Sequence, residues 1–77
     1  SAAYVYREKT LGILLTGANK DGAQGIKDIA DKNGYTIVQD PLTADIDTMP
    51  KAALRLFTPN EVISPKQIVQ FLNSLPI

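Results

Sequence analysis

The stretch LGILLTGANKDGAQG, residues 11–25, is an apolar run that stops at a glycine-rich loop, after which a helical pattern begins. Apolar runs of this kind are typical of strands in parallel sheets, which helices cover on both faces. The loop after such a strand opens into the crevice at the carboxyl edge of the sheet, and the next helix points its partly positive N-terminus there. Asp21, between Gly17 and Gly22, is therefore the first candidate for a functional residue.

A second apolar run, YTIVQ at residues 35–39, follows after one helix length. In the segment between the two runs, Ile26, Ile29 and Ala30 recur at helical spacing on one face. Gly34 is expected to end this helix in the left-handed conformation. The pattern predicts a β-α-β unit with the usual right-handed crossover.

Beyond this unit the sequence predicts a loop, a short helix and a third strand. The loop is DPLTADIDT, residues 40–48, in which the proline and the aspartates favour turns. Thr48 is the expected N-cap of a helix that begins near Met49 and Pro50. A short third strand is expected at residues 61–63.

Helices are also expected at both ends of the chain. Ser64 and Gln67 have the spacing of a capping box, with Pro65 at the first helical position, and Pro76 is expected to stop this last helix. Residues 1–9 are interpreted as the last turns of a helix that begins outside this chain, because cationic residues cluster toward the end of the segment.

Together these elements predict an α/β fold in which helices cover both faces of a parallel sheet. A chain of 77 residues is one small domain at most. Three parallel strands leave an apolar sheet edge that a complete domain would pair or cover. We therefore interpret residues 1–77 as an incomplete portion of a larger, Rossmann-like domain.

The composition narrows the classes of function. The chain has no cysteine and no histidine, so it lacks thiolate metal ligands, disulfides and the commonest general base. Its eight basic and eight acidic residues cancel and are interspersed, so no basic stripe indicates nucleic-acid binding. No apolar run is long enough for membrane insertion and no signal-peptide pattern opens the chain, so a cytoplasmic protein is expected.

The loop around Asp21 has two interpretations that need no family resemblance. Asp21 and Gln24 have the D-x-x-Q spacing of a helix N-cap, which is a purely structural role. TGANK after a strand also resembles the start of a dinucleotide-binding fingerprint, with Asp40 placed as the ribose-binding acid. That fingerprint requires glycine where the chain has Asp21 and Ala23, so nucleotide binding is the weaker hypothesis.

Three aspartates of the 40–48 loop raise the question of a cation site. Asp40, Asp45 and Asp47 lack the glycine and terminal glutamate of a calcium loop, so a solvated turn is the better interpretation and no metal is expected. Because the loop follows a strand of the predicted sheet, we expect it beside the crevice. Met49 is expected in the core or in a pocket wall.

From residue 11 onward the chain resembles the C-terminal part of CheB-type chemotaxis methylesterase domains. Members of that family carry a strand running into Thr-Gly-Met-Gly-x-Asp-Gly, then a helix, a strand ending in a Gln-Asp loop, and a Met-Pro-x-x-Ala helix. The positions that match, in the family's order and spacing, are Thr16-Gly17, Asp21-Gly22, Gly25, residues 36–41, Met49-Pro50, Ala53 and Glu61-Val62. This combination is far more specific than any one of its motifs.

The resemblance implies an esterase that hydrolyses glutamate methyl esters on chemoreceptors through a Ser-His-Asp triad, with no metal and no organic cofactor. Asp21 occupies the aspartate position, where it would orient the histidine. The backbone N–H of Ala18, in the loop with Thr16 and Gly17, would help to hold the oxyanion. In the family the serine and the histidine precede this region, so this chain is expected to be inactive alone.

The chain also differs from the family pattern in its loop, and the resemblance implies several partners. Ala18 and Asn19 replace the family's Met-Gly, and we expect Asn19, Asp40 and Met49 to line the substrate pocket. The implied partners are the methylated chemoreceptor, the N-terminal part of the same domain and a phosphorylatable receiver domain, with no nucleic acid.

A second hypothesis is a CheB-like protein-interaction module without catalysis, in which the altered loop marks lost activity. The third is a nucleotide-binding α/β domain.

Overall fold

A computed structural model of the chain describes residues 2–6, 9–16 and 21–75, and it describes side chains at 10–16 and 21–75. Within these ranges four strands form one sheet in chain order. The strands are β1 (Ala2–Tyr6), β2 (Lys9–Leu14), β3 (Tyr35–Gln39) and β4 (Glu61–Ile63). β2, β3 and β4 are parallel, which confirms the predicted parallel sheet, and β1 pairs with β2 in the antiparallel direction.

β1 corrects the prediction for residues 1–9, which we expected to end a helix. Its backbone pairs with β2 over its whole length, with Ala2 opposite Ile13 and Tyr6 opposite Lys9. Tyrosine and valine favour strands, but the charged cluster that follows them resembles the cationic end of a helix. The neighbouring strand decides the matter, because a strand makes its backbone hydrogen bonds only with a partner.

Helices cover both faces of the sheet. α1 (Asp21–Asp31) and α2 (Thr48–Leu56) pack on one face, and α3 (Pro65–Asn73) packs on the other. A short 3-10 helix, Pro41–Thr43, lies between β3 and α2. The arrangement confirms the predicted α/β fold, while Pro76, the expected stop of α3, lies outside the described residues. None of the helices in the described ranges is long and apolar enough to cross a membrane.

Two apolar clusters, one on each face of the sheet, hold these layers together. On the side of α1 and α2 the buried residues are Leu14, Ala23, Ile26, Val38, Met49 and Ala53. On the side of α3 they are Leu11, Ile13, Ile37 and Ile68. Side chains of β2 and β3 thus alternate between two buried faces, which explains why both runs are apolar throughout. Burial of each large side chain contributes about 1.5–3 kcal/mol to stability.

The turn after α1 differs from the prediction in which residue is left-handed. Asn33 has φ 64°, and Gly34 does not have a positive φ. Asparagine is one of the few side chains that adopt this conformation readily. Glycine is needed at position 34 for a different reason, because a Cβ there would lie 2.8 Å from the Thr10 carbonyl oxygen and 2.9 Å from the Ile29 carbonyl oxygen. It allows the end of α1 to pass close to β2.

The starts of α2 and α3 differ in how well the sequence predicts them. Thr48 is the first residue of α2 rather than its cap, and Asp47 precedes the helix without a side-chain capping hydrogen bond. The capping box of α3 is confirmed. The Gln67 N–H donates to Ser64 Oγ at 3.2 Å, the Ser64 N–H donates to Gln67 Oε1 at 2.9 Å, and Pro65 is the first helical residue.

A polar contact joins β3 to β4 at the end of the sheet away from the predicted crevice. The Tyr35 hydroxyl donates to Glu61 Oε2 at 2.6 Å, and the Tyr35 ring stacks on Phe71 of α3 with centroids 5.7 Å apart. The hydrogen bond to the Glu61 carboxylate raises the pKa of Tyr35, with a smaller contribution from burial. The phenol therefore keeps its proton, and its bond to β4, to a higher pH than a free tyrosine would.

Asn60 attaches the start of β4 to β3 through its side chain. Asn60 Oδ1 accepts the Thr36 N–H at 2.8 Å and the Thr36 hydroxyl at 3.2 Å, and the Asn60 N–H lies 3.3 Å from that hydroxyl. Thr36 is buried, so its backbone donor has no water to replace the amide.

We expect Asn60→Ala to lower the free energy of unfolding by about 1–2 kcal/mol, because it leaves the buried Thr36 N–H unsatisfied. Chemical denaturation of the full-length protein measures this. Asn73→Ala, at the exposed last residue of α3, is the matched control and should change stability by less than about 0.5 kcal/mol. Equal effects of the two substitutions would contradict this role of Asn60.

Candidate active site

The carboxyl ends of β2, β3 and β4 lie at one edge of the sheet. Leu14 pairs with Val38, and Gln39 pairs with Ile63 on the next strand. The Asp40 N–H then donates to the Ile63 carbonyl at 2.8 Å, so β3 remains attached to β4 one residue beyond the ladder. The segments after β2 and β3 therefore leave the sheet side by side, as the sequence predicts for a crevice at this edge.

Asp21 is exposed in the first turn of α1, which is the helix that follows β2. The structure describes α1 from Asp21 onward, and Gln24 donates through Nε2 to Asp28 Oδ1 at 3.1 Å, toward the next turn. The capping interpretation of Asp21 stays a prediction. A carboxylate in this place is favoured by the partial positive charge of the helix N-terminus.

Gly22 brings the start of α1 close to the core. A Cβ at this residue would overlap Met49 Sδ and lie 3.1 Å from Leu14 Cδ1. Packing thus accounts for this glycine, whereas the nucleotide hypothesis needs glycines that admit a pyrophosphate. Met49 itself is only 8% exposed and belongs to the apolar cluster under α1 and α2, so the structure places it in the core.

Gln39, the last residue of β3, connects three backbone segments at this edge. It is only 4% exposed. Its Oε1 accepts the Thr16 N–H at 3.0 Å, and its Nε2 lies 3.4 Å from the Thr43 carbonyl oxygen and 3.3 Å from the Thr43 hydroxyl. In the sequence Gln39 belongs to the matching residues 36–41 but has no role assigned to it, although a polar residue that ends an otherwise apolar strand is a usable signal.

Thr16, which we placed in the oxyanion loop, is held by two partners. Its N–H donates to Gln39, and its hydroxyl donates to the Ile46 carbonyl oxygen. Both partners belong to the segment that follows or ends β3. Thr16 therefore joins the end of β2 to the end of β3 and to the 40–48 loop.

Asp40 acts within its own loop. Its Oδ1 accepts the Leu42 N–H at 3.0 Å as the cap of the 3-10 helix, and its carbonyl accepts the Thr43 hydroxyl at 2.7 Å. Asp47 pairs with Lys51 at 2.9 Å on the exposed start of α2. In the described part of the chain, no three acidic, cysteine or histidine side chains gather as metal ligands would.

Three apolar side chains in the segments that follow β2 and β3 are exposed. Leu42 is 93% exposed, and Leu15 and Ile46 are about half exposed. The residues between Thr16 and α1 lie outside the described residues, and they include the predicted site residues Gly17, Ala18 and Asn19. Their assigned roles stay predictions.

The sequence matches the family model of the CheB methylesterases over residues 1–72. The chain belongs to the CheB methylesterase family. The match covers nearly the whole chain and confirms the resemblance inferred from the motifs around Thr16, Asp21 and Met49. In this chain Thr16 follows β2, Asp21 begins α1 and Met49 lies in the first turn of α2.

Individual CheB relatives show the same similarity. A Leptospira interrogans protein with the name of a protein-glutamate methylesterase/protein-glutamine glutaminase is 46% identical over 70 residues, which are 91% of this chain and 36% of that protein. The protein-glutamate methylesterase/protein-glutamine glutaminase 1 of Carboxydothermus hydrogenoformans is 56% identical over 54 residues, or 70% of this chain and 16% of that protein. The corresponding enzyme of Methanococcus maripaludis is 42% identical over 71 residues, 88% of this chain and 20% of its own length.

The 77 residues thus span at most 36% of the length of these relatives. At this coverage the similarity shows the family of the chain.

Proposed function

We propose that this chain is the C-terminal portion of a protein-glutamate methylesterase domain, and that Asp21 is the carboxylate of its Ser-His-Asp triad. The main support for the proposal is the position of Asp21 in the fold of a chain that belongs to the CheB methylesterase family. It stands exposed in the first turn of α1, at the edge where three parallel strands end. Relatives named as protein-glutamate methylesterases support the reaction.

In this proposal the serine hydroxyl attacks the carbonyl carbon of a glutamate γ-methyl ester while the histidine takes the hydroxyl proton. The tetrahedral intermediate then expels the methoxy group, which takes that proton and leaves as methanol. Water cleaves the acyl-enzyme in the same way and restores the serine. Asp21 accepts the histidine Nδ1–H, which fixes the imidazole tautomer and stabilises the imidazolium.

The 77 residues supply only part of this machinery. They contain no histidine, and none of their serines stands in the family's nucleophile context, so the base and the nucleophile come from residues outside them. We assign oxyanion stabilisation to the backbone N–H of Ala18, beside Thr16 and Gly17, and pocket lining to Asn19. A backbone donor survives the replacement of the family's methionine by Ala18, because the side chain does not make the bond.

The proposed substrate is a chemoreceptor methylated on glutamate. This substrate implies action in the cytoplasm and a place in a two-component signalling system, with a receiver domain that restrains the esterase.

Labelling with a serine-directed fluorophosphonate tests whether the nucleophilic serine lies outside residues 1–77 of the full-length protein. With the full-length protein we expect methanol release from a methylated receptor and a covalent label on a single serine outside residues 1–77, located by peptide mass spectrometry. Heat-denatured protein is the control and should not be labelled.

Two outcomes would count against the proposal. A label on Ser1, Ser64 or Ser74 would move the nucleophile into this chain and contradict the assignment. Neither label nor methanol release from a folded full-length protein would favour the non-catalytic interaction module, in which Ala18 and Asn19 mark a lost activity. Tight binding of an adenine dinucleotide would instead support the nucleotide hypothesis.

A further inference from the structure

Gln39 is a buried polar side chain to which the proposed chemistry gives no part. It ends β3 with 4% of its surface exposed. The Thr16 N–H can only donate, so the amide oxygen must face Thr16 and the amide nitrogen must face Thr43, as observed. One amide thereby joins the residues after β2, the end of β3 and the 3-10 helix.

Thr16 is fixed on a second side as well. Its hydroxyl donates to the Ile46 carbonyl oxygen, two residues before α2 begins at Thr48. Thr16 is thus held through its backbone by Gln39 and through its side chain by the loop. Only four residues separate it from Asp21, whose helix is fixed by the close packing of Gly22 on Met49.

We propose that Gln39 is a positioning residue of the esterase site, which sets the place of Thr16 and hence the point from which the chain runs to Asp21. The inference rests on the proposed function. Acyl-transfer sites are sensitive to such placement, because a shift of about 1 Å in a positioned group can lower the rate about 100-fold.

The surroundings of Thr16 separate positioning from a purely structural role. Thr16 is exposed, so water can replace the bond that its N–H makes to Gln39. Loss of the Gln39 amide should therefore cost little of the folding energy at Thr16, while the strand end loses its fixed position. If Gln39 is a positioning residue, its replacement should therefore lower kcat more than it lowers stability.

Gln39→Met in the full-length protein tests the inference, since methionine keeps the length and apolar stem but removes both polar atoms. We expect kcat for methyl-ester hydrolysis to fall about 10- to 100-fold, with KM within about twofold because ground-state binding is retained. Both constants are measured at a temperature where circular dichroism shows the variant folded. Gln70→Met, on the exposed surface of α3, is the matched control and should leave both constants unchanged.

The outcomes distinguish failure of the inference from failure of the proposed function. A Gln39→Met protein with a lowered Tm and an unchanged kcat would overturn the positioning role and leave a structural one. If Asp21→Asn is inactive and Gln39→Met is fully active, only this inference fails; if Asp21→Asn is fully active, the proposed function fails and the inference fails with it. Should Gln39→Met not fold, Gln39→Asn keeps an amide but shortens the side chain by one methylene, so that it no longer reaches Thr16 and Thr43 together, and an unchanged kcat there would also overturn the inference.

Discussion

Replacement of Asp21 by asparagine is expected to lower kcat for methyl-ester hydrolysis by the full-length protein about 10³- to 10⁴-fold. Asparagine keeps the size of the side chain, but its amide no longer supplies the carboxylate that holds the histidine Nδ1–H and stabilises the imidazolium. In triads of this kind the histidine then adopts the wrong tautomer, so the nucleophile loses its base. Methanol release under substrate saturation measures the effect.

Asp31→Asn is the matched control for this substitution. Asp31 lies at the other end of the same helix, where it makes an exposed ion pair with Lys27 at 2.6 Å. Exposed pairs of this kind contribute about 0–1 kcal/mol to stability, so the control should keep its activity and nearly all of its stability. Activity of Asp21→Asn within tenfold of the unmodified protein would exclude Asp21 as the triad carboxylate.

Gly34→Ala should destabilise the full-length protein by about 2–3 kcal/mol, which is the largest effect on stability expected here. The new Cβ would overlap the Ile29 side chain and lie within 3 Å of two backbone oxygens, those of Thr10 and Ile29. Side chains can rotate away, but these carbonyls are fixed by β2 and by the end of α1. Relief therefore requires the helix to move away from the sheet. Chemical denaturation with fluorescence or circular dichroism measures the loss.

Gly25→Ala is the same chemical change as Gly34→Ala, but we expect it to stabilise the protein. Gly25 lies inside α1, and a Cβ there meets no atom within 4 Å. Alanine should stabilise the protein by about 0.5–1 kcal/mol, because it lowers the conformational entropy lost when the helix forms. Equal changes in the two variants would show that the close approach at Gly34 does not limit the packing of α1 on β2.

Much of the fold was predictable because its signals are local. The runs at β2 and β3 are apolar on both faces, which is the pattern of parallel strands covered by helices. Ser64, Pro65 and Gln67 predicted the start of α3 because a capping box needs only neighbouring residues. The set of motifs from Thr16-Gly17 to Glu61-Val62 predicted the family, and with it the candidate residue Asp21, because motif order and spacing can be read from the sequence itself.

Other features depend on residues that are distant in sequence. β1 is a strand because β2 lies beside it, and no local preference decided between a strand and a helix end. Gly34 is required by a carbonyl of Thr10, which is 24 positions away. Gln39 reaches Thr16 across 23 positions, so its hydrogen bonds could not be inferred from its neighbours.

The sequence by itself determined the succession of strands and helices from residue 11 onward, the family and the position of Asp21 at the start of α1. These follow from periodicity, turn residues and motif spacing, which are properties of adjacent residues. The tertiary structure alone decided that residues 2–6 pair with β2, that Met49 is core, and that Gln39 holds Thr16. Such contacts depend on close approach between distant segments, and this approach is set only when the sheet and its two helical layers pack together.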